Sequence, residues 1–328
     1  MWRRAPTPNF LGTVTVMDNT ARTAVGLAAL GRPAYINLGR TGALPSHRDV
    51  ETMRARTYAV LDRAYAAGIR RVDAARSYGR AEEFLAGWLA DRGHTDVVVS
   101  SKWGYRYVGQ WRLDARVHEV KEHSLERFRE QWAQTAALLG EVITLYQVHS
   151  LTADSGLFTD EPLLEALAEL ADRGVAVGFS TSGPAQADTI RRALDLQVAG
   201  VGVFSAVQST WNPLETSAGP ALADAHAAGV LVQVKETLAN GRLAVEPPRR
   251  LAELAEARGV STDAVALAHV FAQPWADVVL LGPASTQQLA DNLVGARLAL
   301  AEEDLAALAD LREEPERYWA RRSGMHWQ

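Results

Sequence analysis

The feature that most constrains this fold is an alternation repeated along the chain. Short β-branched or apolar runs recur, each followed by a polar loop and a longer segment of helical period. Eight such runs can be read: "AVGLAAL" (24–30), "IRRVDA" (69–74), "DVVVSSK" (96–102), "ITLYQVH" (143–149), "VAVGFS" (175–180), "VGVFSAVQ" (201–208), "VLVQVKE" (230–236) and "DVVLLG" (277–282). Amphipathic segments such as "VETMRARTYAVLDRAYAAG" and "LERFREQWAQTAALLG" lie between them, and many end at glycine, a common helix stop. Helical crossovers between strands make a parallel sheet, and strands that are apolar almost throughout have both faces covered. Eight units in 328 residues favour a closed (β/α)8 TIM barrel, α/β in class and spanning residues 1–328 as one domain. An open doubly wound sheet also needs G-x-G-x-x-G after its first strand, and "GLAALG" lacks the middle glycine.

Three additions flank this alternation. The leader, 1–23, contains the start of "TVTVMDNTARTAV", which alternates around a turn and reads as a hairpin plugging the N-terminal end of the barrel. "PPRRLAELAEARG" and "EEDLAALADLREE" read as two extra helices. The tail, 313–328, carries Tyr318, Trp319 and Trp327, and either docks on the barrel flank or covers the active-site mouth.

Composition narrows the chemistry. The net charge is −5, with 34 basic and 39 acidic residues well mixed, so no electropositive face for nucleic acid is expected. There is no cysteine, which removes disulfides, thiolate nucleophiles and thiolate metal ligands. No apolar h-region follows "MWRR", and no segment approaches the roughly 18 apolar residues of a membrane span, so a cytoplasmic protein is expected.

Active sites of βα barrels form where strands hand over to loops at the C-terminal face. Strand two ends at Asp73 with Tyr78 in its loop, strand three presents Lys102, and strand four presents His149. Taken singly, each has an ordinary reading as a cap, a half-buried ring, a solvated terminus or a core imidazole. On three adjacent strands they converge, and together they suit hydride transfer to a carbonyl. The alkoxide that forms needs a proton. A tyrosine, with its reference pKa of about 10, is a poor acid at neutral pH. An adjoining ammonium lowers that value, so Lys102 is expected to tune Tyr78, Asp73 to hold Lys102, and His149 to orient the substrate oxygen.

These residues resemble the aldo-keto reductases. "VDAARSYGRAEEFL" is similar to that family's segment around its catalytic aspartate and tyrosine, "VSSKWG" and "LYQVHS" to its lysine and histidine segments, and "LLGPASTQQLADNL" to its C-terminal cofactor motif. The resemblance covers roughly residues 22–312. It implies an NAD(P)H-dependent oxidoreductase that interconverts carbonyls and alcohols without a metal, with Tyr78 as general acid. It also implies that Ser180, Thr181 and Gln208 grip the nicotinamide carboxamide, that Lys235 and Leu238 lie where the loop after strand seven meets the cofactor, and that Gly282, Ser285, Gln288 and Asn292 hold the adenosine end. Thr181 stands where asparagine is usual, and Lys235 where an aromatic often stacks, with Trp211 a conceivable substitute. No Lys or Arg lies between Gly282 and Asn292; Arg242 and Arg297 fall outside that stretch. NADPH stays slightly ahead of NADH on the family pattern alone.

The long loop after strand three brings Trp103, Tyr105, Tyr107 and Trp111, which either line the substrate pocket or pack the loop onto the barrel. His118, Glu122 and His123 are read as a solvated helix rather than a metal site. Two other functions stay open from residues alone: a Schiff-base aldolase or lyase using Lys102, and a nucleotide-binding sensor on the same scaffold.

Overall fold

Eight parallel strands close on themselves in sequence order in the structure, a computed structural model that describes residues 18–327. They are β1 (Thr23–Gly26), β2 (Arg71–Asp73), β3 (Val98–Trp103), β4 (Ile143–Leu151), β5 (Ala176–Thr181), β6 (Ala206–Thr210), β7 (Leu231–Lys235) and β8 (Val278–Leu281). Closure comes from β1, which pairs with β2 through Val25↔Val72 and with β8 through Ala24↔Leu280. Around the strands lie α1 (Val50–Ala66), α2 (Ala81–Arg92), α3 (Leu125–Leu139), α4 (Glu161–Asp172), α5 (Gln186–Leu194), α6 (Gly219–Ala227), α7 (Arg249–Arg258), α8 (Thr262–Phe271) and α9 (Thr286–Gly295), then α10 (Glu302–Ala309) and α11 (Pro315–Ser323). The (β/α)8 barrel expected from the alternation is the architecture found.

Local chemistry sets the element ends. Asp49, Ser124 and Ser285 each accept a hydrogen bond from a first-turn amide of α1, α3 and α9, satisfying donors that a helix start leaves open. Val25, Val72, Val99, Val207, Val234 and Val279 are buried between strands and helices in the main core. A second cluster joins Leu251 of α7, Val265 of α8, Leu308 of α10, and Tyr318 and Trp319 of α11.

Three expectations change, and a fourth lies mostly outside the described residues. The leader's hairpin falls mostly on residues outside those described; the described part, Thr20–Arg22, is a 3-10 turn leading straight into β1. Arg22 donates from there to the carbonyls of Phe271, Gln273 and Ala276, tying the start of the barrel to the end of α8. Strand six begins at Ala206, because Val201–Gly202 folds back on Gln197–Val198 as a separate antiparallel ribbon. In the loop after β3, Glu119–Lys121 pairs antiparallel with Tyr105–Tyr107, so "VHEVKEHS" follows a strand's period of two rather than a helix's. His118 is accordingly buried instead of solvated. The two extra helices are α7 and α10, while α11 gives the tail a structure of its own.

Candidate active site

The register of the barrel delivers Asp73 beside Ser100 of β3 and Gly26 of β1. The carboxylate accepts from Lys102 Nζ, from Ser100 Oγ at 2.8 Å, from Gln208 Nε2 at 3.3 Å and from Gln147 Nε2 at 3.5 Å. Lys102 is wholly buried, and Nζ also donates to the Ala74 carbonyl at 3.0 Å. Nζ is thereby tied to two buried acceptors, so an imine-forming role would first have to break the ion pair. Its Nζ lies 5.1 Å from the centre of the Tyr78 ring.

Tyr78 is held through its backbone. Its amide closes a turn onto Ala75 O at 3.0 Å, and Arg80 N donates to Gly31 O at 2.7 Å, so the first loop lies directly on the Tyr78 segment. A Cβ at Gly31 would come within 2.2 Å of Tyr78 O, so no larger residue fits there. Burial, and then the negative charge of Asp73, push the phenol well above its ordinary value, while Arg32 opposes them. This reverses the expected direction: burial dominates, and the phenol stays protonated at neutral pH.

His149 is aimed by an irregularity in β4. The pairing with β5 breaks between Val148 and Leu151, Ser150 takes φ 54°, and its amide donates to Ser180 Oγ at 2.8 Å. Such a bulge re-aims the side chain beside it. The imidazole meets Tyr78 edge-on, with ring centres 5.4 Å apart, and Ser77 Oγ lies 3.3 Å from Nδ1. Burial, then Lys102, Lys235 and Arg32, hold it well below the usual histidine range, so it is neutral at pH 7. His123 Nε2 lies 2.9 Å from the His149 carbonyl and, held down at about 4 by burial, is neutral too. Asp73, Tyr78, Lys102 and His149 thus share one site, as their strand ends imply.

From that site a cleft of about 1080 Å³, its open mouth included, runs past Lys235–Leu238 to Gly282, Gln288 and Asn292. Six residues assigned to a cofactor lie on its wall: Gln208, Lys235, Leu238, Gly282, Gln288 and Asn292. The other three serve the frame: Ser180 accepts from Ser150 N, Thr181 Oγ1 is 2.7 Å from Ser209 Oγ, and Ser285 caps α9. Asn240, also on the wall, keeps a buried Oδ1 with no partner, an acceptor suited to a ribose hydroxyl. The residues present therefore fit a nicotinamide dinucleotide. Trp211 packs on His269 and Trp275 and is not on the wall. Arg242 is paired with Glu313, and Arg297 lines a separate groove with Arg63 and Leu293.

Around the mouth, Tyr105 stacks at a tilt on His149 with centres 5.1 Å apart. Trp103 is fully buried against Phe128 and His123, and Trp111 donates from Nε1 to Arg48 O at 2.7 Å, so both pack the loop rather than line the cleft. Of the tail, Tyr318 and Trp319 are buried in the second cluster, and Trp327 stacks on His118 with centres 4.2 Å apart. Three residues of the site escape sequence reading. Arg32 lies over Tyr78 and Trp327 and pairs with Glu119 at 2.6 Å. Glu236, at φ 52°, binds Arg322 of α11 through contacts of 2.5 and 3.0 Å. An arginine in the first loop of the catalytic face was the available signal for Arg32; nothing in the sequence links Glu236 to Arg322.

Among the described residues no three His, Asp or Glu side chains are placed to hold a metal, and no helix is long and apolar enough to cross a membrane. Norsolorinic acid reductase of Emericella nidulans is 24% identical over 330 residues, covering 92% of this chain and 82% of that protein. An aldo-keto reductase of Strobilurus tenacellus is 26% identical, covering 79% and 82%. The solved aldo-keto reductase AKR11C1 from Bacillus halodurans superposes with a TM-score of 0.64 at 19% identity, over 92% of this chain and 97% of that one, a likeness of fold. A profile of the Aldo/keto reductase family matches residues 41–313. The chain therefore belongs to the aldo/keto reductase family of NAD(P)H-dependent oxidoreductases.

Proposed function

We propose that this enzyme reduces an aldehyde or ketone to its alcohol, or runs the reverse, with Tyr78 as the proton donor and acceptor. A reduced nicotinamide bound in the cleft supplies the hydride. The observation that carries the reading is the packing of a protonated phenol, a buried ammonium–carboxylate pair and a neutral imidazole at one end of a cleft that runs on to Gly282, Gln288 and Asn292. Tyr78 gives its proton to the substrate oxygen as charge develops there. The phenolate left behind faces Lys102, whose ammonium Asp73 keeps in place, so the lysine acts on the product of proton transfer rather than on the resting phenol. Neutral His149 offers one N–H to the same oxygen and fixes its direction.

For the nucleotide, the far end of the cleft supports NADH ahead of NADPH. Asp263 stands on the wall there and accepts from Asn292 at 2.7 Å, while Gln288 is engaged with Ala284 N. No Lys or Arg lies at that end among the described residues of the wall. A 2′-phosphate would forgo a charge-assisted contact of about 1.5–3 kcal/mol and meet a carboxylate instead.

The test is Tyr78→Phe. Carbonyl reduction, followed by loss of dihydronicotinamide absorbance across a panel of aldehydes and ketones, should fall by about 10²–10⁴. Nucleotide affinity should stay within twofold or so of the native protein, since both differ only at one hydroxyl. Undiminished turnover in the variant would remove Tyr78 from the mechanism.

A further inference from the structure

Lys235 is the one basic side chain on the wall of the cleft among the described residues, and proton transfer makes no use of it. It ends β7 with 15% of its side chain exposed, donating from Nζ to Thr210 Oγ1 at 2.9 Å. Glu236 is 3.7 Å away, but that carboxylate already closes on the guanidinium of Arg322 at 2.5 Å. The remaining charges are matched as well, Lys102 with Asp73 and Arg32 with Glu119. Of these four cations and three carboxylates, Lys235 is the cation with no carboxylate to itself, sharing Glu236 with the closer Arg322. Its charge acts on His149 and feels that of Lys102, so it shares the electrostatic surroundings of the reacting groups.

We propose that Lys235 makes the cleft discriminate between the two oxidation states of its nucleotide, retaining the reduced form and rejecting the oxidised one. The inference rests on the reading of the cleft given above and adds a direction to it. The two forms share their phosphates, riboses and adenine; the nicotinamide ring is uncharged when reduced and positive when oxidised. An ammonium of this kind near that ring raises the free energy of the oxidised complex alone. At partly buried sites, where the effective dielectric constant is about 20, one such charge changes a binding ratio by on the order of tenfold. An aromatic side chain at this position would act in the opposite sense, because a π face attracts a cationic ring. Lys235 therefore speeds departure of the spent nucleotide and tilts the bound equilibrium toward alcohol.

Dissociation constants for NADH and NAD⁺ in the native enzyme, Lys235→Met and Lys235→Arg, read from quenching of the protein's nine tryptophans, test this. The native enzyme should prefer NADH. Lys235→Met should narrow that preference on the order of tenfold, mainly by tightening NAD⁺, and Lys235→Arg should restore it. An unchanged ratio in Lys235→Met overturns the proposal while leaving the cleft as the nucleotide site. Equal weakening of both forms overturns it too, since it would make Lys235 a phosphate contact. A native protein that binds neither nucleotide refutes the proposal together with the reading beneath it.

Discussion

Lys102 and Asp73 form the innermost pair of the site, and neither reaches solvent appreciably. Removing one partner of such a pair strands the other's charge, so Lys102→Met should lower unfolding free energy by about 3–5 kcal/mol, read as a shift in the denaturation midpoint. Pairing it with Asp73→Asn should recover part of that loss, whereas a merely crowded site would make the two losses add. Lys235 gives a pH signature. Burial, with help from Arg322 and Lys102 and against the pull of Glu236, brings its ammonium down to about 8. Its charge is complete below that value and fades above it, so the preference for NADH over NAD⁺ should shrink as pH rises through 8. The neighbouring His149 is neutral throughout this range and leaves that dependence to the lysine. At this scale the convergence of Asp73, Tyr78, Lys102 and His149 was legible, because residue type and strand-end position coincide. The direction of the Tyr78 shift was not: burial of the ring raises it first and the charge of Asp73 adds to that, and neither can be read from residue type.

Elements were legible where periodicity and length agree, as in the eight strands and the helices between them. They were misread where a short segment admits two periods. Residues 117–124 carry charged groups that suit an exposed helix, yet partnering by Tyr105–Tyr107 draws them into a ribbon. The bulge between Val148 and Leu151 was likewise invisible, since "QVHSL" reads as unbroken strand. The tail helix α11 hangs on a contact spanning 86 residues, Glu236 with Arg322. Burial opposes ionisation of Glu236, but Arg322 and Lys235 outweigh it and hold the carboxyl at about 2. A carboxyl depressed on folding stabilises fully above its unfolded value, about 4.3, and loses that contribution as pH falls toward its folded one. Acidification from pH 5 to pH 2.5 should therefore loosen α11 early, seen as faster amide exchange over 315–327. Arg322→Met should do the same at neutral pH and cost about 2–3 kcal/mol, a little below a fully buried pair because the guanidinium keeps some solvent.

For the whole molecule, the cleft runs along one side of the barrel mouth, walled by the loops after β1, β7 and β8. These loops belong to both ends of the closed sheet, so a ligand lying across them should brace the seam where β1 meets β8. At a hundredfold excess over its dissociation constant, a nucleotide should add about 2.7 kcal/mol to global stability, measured as a rise in melting temperature. NADH should give the larger rise at equal concentration, and Gln288→Arg should reverse that order in favour of NADPH. Trp327 adds a practical matter. With its indole stacked on His118 and lying beneath the guanidinium of Arg32, the carboxyl-terminal end of the described chain arrives at the doorway of the barrel. A bulky group joined behind that indole would emerge near Arg32 and Tyr78, so turnover recorded on such a fusion should fall below that of the untagged chain.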